Sequence, residues 1–319
     1  NDAGSVPIDG SKSEKTNTGF PWESGFIALK SYGAFRVYGF PSPIVTLIPG
    51  SVGCDAPHSV AWSATEGKAF YLNKQGVYMF DGSNCIKISE VIQSLIDDIN
   101  PAYIENAYAI YRLGYYWLFY TASGDITNKK CVIYDAKHSN LVEGKYIWYE
   151  RTNLNINCPV FFEGDGDDNE LYGGSSQATG KIYRLDFSSS GKDETANVSA
   201  AYQTKYFDAG LPNVIKHFKR IRIKYKGSGG TLTITWYTND GSTSGSYTIT
   251  IPTISGFLLD TDELGVGVLG GASSDQYDRQ NLPATAVGRN ISVKIENNAA
   301  GVAPIIKEVE IEGVLLYEN

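Results

Sequence analysis

From Ser59 to Asn100 the chain alternates short apolar runs with polar turns: SVAW, KAFYLN, VYMFDGSN and CIKIS, followed by EVIQSLIDDIN. Apolar runs of this length, broken by Gly, Asn and Asp, predict successive antiparallel strands of one small sheet. Val91, Ile92, Leu95, Ile96 and Ile99 then fall on one stripe at helical spacing, which predicts a helix over 89–99. Ser89 is its expected N-cap, Glu90 sits in its first turn, and Asn100-Pro101 stops it.

The same texture recurs from Asn106 to Glu150 and again from Cys158 to Tyr206. In YYWLFY, Tyr115, Trp117 and Phe119 point one way while Tyr116, Leu118 and Tyr120 point the other, so both faces are apolar. A strand covered on both faces belongs to a sheet stacked between other sheets. Three strands align as VYMFD, CVIYD and IYRLD, ending in Asp81, Asp135 and Asp186, spaced by 54 and 51 residues. A period of about 50 residues with four strands per period is the signature of propeller blades.

Upstream, GFIALKS, AFRVYGF and the proline-punctuated SPIVTLIPG read as the closing half of a further unit. Either this half completes a small ring with a late strand, or more blades lie in an upstream segment, since the chain opens at Asn1 and reads as an excised portion of something longer. Past about Ala200 the strands lengthen and alternate strictly: KRIRIKYKG, TLTITWYTNDG, SYTITIP, RNISVKIEN and IIKEVEIEGVLLY. One buried and one wet face per strand is the pattern of an antiparallel sandwich. The expected fold class is therefore all-β, with propeller blades and one short helix followed by an antiparallel β-sandwich or jelly-roll-like domain. The expected domains are a flexible lead-in at 1–24, a propeller at 25–200 and a sandwich at 201–319.

Composition sharpens this picture. With 22 Tyr, 13 Phe and 34 Gly against one Met, the chain suits short strands joined by tight turns. The formal charge of -8 argues against a dedicated nucleic-acid binder, which needs a cationic excess to neutralise phosphates. No apolar run approaches the length of a membrane-spanning helix. Cys54, Cys85, Cys131 and Cys158 lie far apart with no C-x-x-C pair, so they read as reduced structural cysteines, with one or two disulfides as the alternative.

Candidate chemistry is sparse. Gly265, Gly267 and Gly270 match the dinucleotide fingerprint by letter, but no helix pattern opens on them, so no cofactor is expected. The acidic turn around Asp165, Asp167, Asn169 and Glu170 gathers oxygen ligands for a hard cation, making calcium the one candidate metal, against a plain solvated turn. Arg220, Arg222, Lys224 and Lys226 share one strand face, which is either the wet face of a sandwich or a subunit contact. His58, His138 and His217 lack metal-like spacing. GSTSG at 241–245 has Thr243 where a nucleophilic serine would stand. Trp62, Trp117, Trp148 and Trp236 lie in strand patterns, which leaves Trp22, beside Pro21, as the one loop tryptophan for stacking on a sugar ring. No acid, base and nucleophile set converges, so the chain is expected not to be an enzyme.

IPGSVGCDAPHSV, then KAFYLNKQGVYMFDGSNCIKISEVIQSLIDDIN, resembles the propeller segment of tail and neck proteins of tailed bacteriophages. GKIYRLDF, the junction YQTKYFDAGLPNVIKHFKRIRI, GTLTITWYTNDG and the closing IIKEVEIEGVLLYE are similar too, so the resemblance spans roughly residues 33 to 319. It implies a tail-hub-like or nozzle-like virion part, commonly sixfold, assembled in the host cytoplasm and located in the tail or neck. The propeller would be a rigid platform and the sandwich the contact domain. Its partners would be other copies of itself and neighbouring virion proteins, with no membrane, specific nucleic acid or small-molecule substrate. The chain differs from that family in having fewer blades. A glycan-binding propeller and sandwich module with a receptor-binding role is the alternative.

Overall fold

The computed structural model describes residues 7–8, 15–163, 169–185, 192–193, 196–197, 200–227, 229–251, 275–297 and 304–316. The chain divides into two compact units, Asn1–Asp186 and Phe187–Asn319. Both are built from antiparallel sheet, as the alternation requires. No described helix is long and apolar enough to cross a membrane.

The first unit is a series of small sheets. β1 (Thr18–Trp22), β2 (Gly25–Leu29), β3 (Ala34–Tyr38) and β4 (Ile44–Leu47) form the first, in that order. β5 (Ala61–Ser63), β6 (Lys68–Asn73), β7 (Gly76–Phe80) and β8 (Cys85–Lys87) form the second. β9 (Tyr108–Arg112), β10 (Tyr115–Tyr120), β11 (Lys130–Asp135) and β12 (Trp148–Thr152) form the third. β13 (Ile156–Glu163), β14 (Asn169–Ser175) and β15 (Ile182–Arg184) form the fourth. Each is the up-and-down antiparallel meander of a propeller blade.

These sheets pack face to face through side chains of alternating parity. Phe20, Ile27 and Leu29 of the first sheet meet Ala69, Tyr71, Tyr78 and Phe80 of the second. The opposite face of the second, with Phe70, Leu72, Val77 and Met79, meets Tyr116, Leu118, Tyr120, Val132 and Tyr134 of the third. Trp117, Phe119, Cys131 and Ile133, on the far side of the third, meet Ile156, Phe161 and Leu171 of the fourth. Tyr71, Phe70, Tyr116, Tyr120 and Phe119 are fully buried. At about 1.5–3 kcal/mol per buried large side chain, these rows are the main source of the unit's stability.

Three expectations are corrected here. The lead-in does not extend to residue 24, because Thr18–Trp22 is a strand paired with Gly25–Leu29, and the first blade is therefore whole. Pro21 is tolerated because β1 lies at the sheet edge. The helix over 89–99 shortens to a 3-10 turn at Glu90–Ile92 and α1 (Gln93–Asp97). Ser89 does not cap it: its buried Oγ accepts the Val77 N–H at 3.0 Å, so the hydroxyl is spent on strand β7. Val91 is exposed, whereas Ile92, Leu95, Ile96 and Ile99 pack on the core between the second and third sheets. The run expected to close the third repeat is β18 (Ala200–Gln203), and it pairs instead with a strand of the second unit.

The second unit is a sandwich. β18, β20 (Thr231–Thr238), β21 (Thr243–Thr250) and β24 (Ile291–Asn297) form one sheet in the order β18-β24-β20-β21. β19 (Lys216–Lys226), β22 (Gln276–Asn281), β23 (Val287–Gly288) and β25 (Ile305–Leu315) form the other, with β19 central. β16 (Lys192–Asp193) and β17 (Ala196–Asn197) make a small separate pair. The core holds Ile221, Ile223 and Tyr225 against Leu232, Ile234, Trp236, Val293 and Ile295.

Candidate functional site

One of the segments that carry the resemblance, Gly53 to Ser59, is a largely buried junction. A Cβ on Gly53 would lie 1.8 Å from the Lys30 carbonyl oxygen, so only glycine fits this approach. Ser59 Oγ donates to the Ala56 carbonyl at 2.6 Å and accepts the Leu72 N–H at 2.8 Å. The Tyr116 hydroxyl donates to the Ser59 carbonyl at 2.8 Å, fastening the third sheet to the loop ahead of the second. Burial pushes the Cys54 thiol up to about 12, which makes it an inert packing group. Cys54, Cys85, Cys131 and Cys158 are all free thiols.

The repeated strand-end aspartates are also structural. Asp81 Oδ1 accepts the N–H groups of Ser83 and Asn84, and Asp135 Oδ1 accepts those of Lys137 and His138. Asp135 Oδ2 is 2.8 Å from His138 Nδ1. Burial raises both carboxyls, but the hydrogen bonds to their carboxylates outweigh it and hold both below the usual range. Asp186 lies outside the described residues.

A cleft of about 430 Å³ opens between the first and second sheets. It is lined by Trp22, Glu23, Arg36, Thr46, Gly82 and Ser83 among others. Trp22 is not a loop residue: it lies in β1, edge-on to Phe80 at 5.0 Å, and its indole N–H is buried without a partner. Gly82, at φ +99°, leaves the room its Cβ would take from the Trp22 ring. Arg36 donates to the Gly82 carbonyl and its guanidinium lies 4.0 Å from Glu23. Glu23, at φ +50°, occupies a left-handed conformation uncommon for a side chain of this kind. An indole edge, an ion pair and the hydroxyls of Thr46 and Ser83 in one cleft supply donors and acceptors for a polyhydroxylated ligand. The sequence signalled Trp22 alone, because Arg36 and Ser83 come from runs that read only as strand and turn.

The predicted cationic row takes its place on the central strand of the second sandwich sheet. Arg220 pairs with Glu312 at 2.7 Å, Arg222 with Glu310 at 3.2 Å, and Lys224 with Asp275 at 3.3 Å. Lys226, at the strand end, stands opposite Ile305. Glu308, Glu310 and Glu312 of β25 stand in register with Lys224, Arg222 and Arg220, a pairing that the local pattern does not give. Of the calcium candidates, Asp165 and Asp167 lie outside the described residues. Asn169 opens β14, and the Glu170 carboxylate is taken by Arg184 at 2.7 Å and by the Tyr172 hydroxyl. Gly265, Gly267 and Gly270 also lie outside the described residues. No cluster of His, Cys, Asp and Glu suited to a metal occurs among the described residues.

No family model matches the chain, and no curated protein matches it either. Among solved structures it is similar to the Bombyx mori GH32 beta-fructofuranosidase BmSUC1, at 9% identity and a TM-score of 0.28, covering 93% of this chain and 90% of that one. It is similar to a Bacillus thuringiensis Cry1Da tryptic core variant, at 12% identity and a TM-score of 0.24, covering 94% of this chain and 50% of that one. A third is a Phanerochaete chrysosporium exo-beta-1,3-galactanase, at 9% identity and a TM-score of 0.23, covering 91% of this chain and 79% of that one. The expectation that the chain is not an enzyme is corrected by these findings, since two of the three are sugar-processing enzymes, and it is withdrawn. Likenesses this low assign no activity, substrate or catalytic residue to the chain.

Proposed function

We propose that this chain is a structural part of a bacteriophage tail or neck assembly, its blade stack a rigid platform and its sandwich a contact domain. The observation that carries the reading is the outer face of the fourth sheet. Val160, Phe162 and Ile182 are 55%, 62% and 75% exposed there, turned away from the Trp117 and Phe119 core. Three large apolar side chains beside the Glu170–Arg184 ion pair on one exposed sheet face suit a contact with another chain. The motifs of the resemblance agree with this reading, because Gly53, Ala56 and Ser59 are scaffold residues.

Reconstitution with virion tail and neck proteins, followed by negative-stain microscopy, tests it. The wild-type chain enters assembled particles, and a V160S/F162S/I182S variant that melts at the wild-type temperature does not. A wild-type chain that stays apart from the particles overturns the reading.

A second reading rests on the cleft at Trp22: a glycan-binding module, with Arg36, Glu23, Thr46 and Ser83 as the polar contacts. A glycan array probed with the wild-type chain and with Trp22→Ala decides it. Binding that the substitution abolishes supports this reading, and an array with no binding removes it.

A further inference from the structure

The fourth sheet is one strand short of its neighbours. The first three sheets are four-stranded meanders, and their closing strands β4, β8 and β12 are four, three and five residues long. Among the described residues the fourth sheet has only β13, β14 and β15, so the three-residue strand β15 is its outer edge. Ile182 on that edge is 75% exposed, and the one charge on β15, Arg184, is held by Glu170 at 2.7 Å. The run that the repeat predicts as the closing strand is β18, which pairs with β24 of the sandwich.

β18 is itself an edge strand. It is four residues long, the size of a closing strand, and every residue of it is exposed. Proteins protect such edges with Lys, Pro, bulges or a covering segment, since an open edge is a template for another strand. AAYQ carries no charge and no proline, and its pairing with β24 runs without a register shift. Tyr202 on it is 63% exposed. The chain therefore presents two short, unprotected edges, one on each unit, that differ from one another.

We propose that β18 of one copy completes the fourth sheet of the next copy, lying antiparallel beside β15. Strand addition to an open sheet edge is a recurrent mode of recognition, with backbone hydrogen bonds supplying the affinity. Setting Tyr202 opposite Ile182 puts an aromatic ring across from a β-branched side chain, a favourable cross-strand pair. The same register sets the small residues Ala201 and Ala200 opposite Tyr183 and Arg184. The pairing rests on reading the chain as an assembly component and names its partner as a second copy. Each copy gives one edge and receives on the other, so the contact is heterologous and closes into a ring. Cyclic symmetry of that kind is what the resemblance implies.

Crosslinking of the full chain in a Cys158→Ser background tests this, with a short bismaleimide as the probe. Neither Ile182→Cys nor Tyr202→Cys alone gives a covalent dimer. An equimolar mixture of the two gives a dimer and stops there, because each copy carries one reactive edge. The double variant I182C/Y202C gives a ladder of covalent multimers. In sedimentation velocity over a concentration series the wild-type chain self-associates, and Y202K weakens that association by more than about tenfold, the scale of losing an aromatic anchor. Tyr202 is exposed, so an unchanged circular dichroism melt is expected, and Y202S serves if Y202K unfolds the chain. A wild-type monomer at every concentration overturns the proposal, as does association that the Tyr202 variants leave intact. A single variant that crosslinks to itself, a mixture that does not crosslink, or a double variant that crosslinks only within one chain overturns it too. The virion reading is scored apart from these outcomes, by entry of the chain into particles in the presence of neighbouring virion proteins.

Discussion

Asp81 and Asp135 do one job at equivalent places in successive blades: each Oδ1 accepts the backbone N–H groups two and three residues ahead. The turn that leaves strand β7 and the turn that leaves strand β11 are therefore closed by the same side chain in the same way. This is an Asx turn, and it gives the repeated strand-end aspartate a physical reason.

Replacing Asp135 with Ala leaves the Lys137 and His138 N–H groups without their acceptor, in a site where the carboxylate side chain is only 2% exposed. The expected loss is about 1–3 kcal/mol of folding stability. Urea denaturation of Asp135→Ala beside the wild type measures it, and an unchanged midpoint contradicts it.

Both aspartates also set a pH dependence. Their folded carboxyls titrate below the unfolded range, since their hydrogen bonds outweigh the opposing effect of burial. A depressed folded pKa gives stability that is complete above the unfolded value, about 3.9, and is lost as pH falls through the folded one. The urea midpoint should fall between pH 5 and 3, and the D81N/D135N variant should fall less steeply. Parallel wild-type and variant curves count against this role.

Gly53→Ala places a methyl carbon 1.8 Å from the Lys30 carbonyl oxygen, a contact between two backbone segments that cannot swing aside. A loss of at least about 3 kcal/mol follows, at the upper end of overpacking costs. Thermal melts report it, and a variant as stable as the wild type shows that the junction is looser than its geometry.

Ser59→Ala removes the acceptor of the buried Leu72 N–H and the donor to the Ala56 carbonyl, at no cost in backbone freedom. About 1–3 kcal/mol is expected from leaving buried groups unsatisfied. Ser59→Thr tests whether the hydroxyl alone suffices. Recovery of stability in that variant assigns the effect to the hydrogen bonds, and equal losses assign it to packing.

What was legible in the sequence follows from periodicity. Tyr116 and Leu118 against Trp117 and Phe119 announced a strand with two buried faces, and the structure gives each face its own core. Arg220, Arg222 and Lys224 announced a strand face, but not the acidic row that meets it, because register depends on pairing rather than on local pattern. β1 has no clear strand signal because TGFPW is five residues long and carries a proline, features that only an edge position excuses. AAYQ in β18 is too short and too small to specify its partner from sequence, and only the fold pairs it with β24. Ser89 looked like a helix cap because an N-terminal serine before an apolar stripe usually is one, and here strand β7 claims its hydroxyl. The cleft at Trp22 gathers residues from β1, β3 and the turn after β7, a conjunction that only the fold creates.

Phe70 and Tyr71 are neighbours on one strand, yet one faces the third sheet and the other the first. Neither the second nor the third sheet can open without tearing two interfaces, so this stack does not fray from its middle one repeat at a time. Native-state hydrogen exchange would find the amides of β6, β7, β10 and β11 released together, in a single cooperative event, with slower opening than any surface loop.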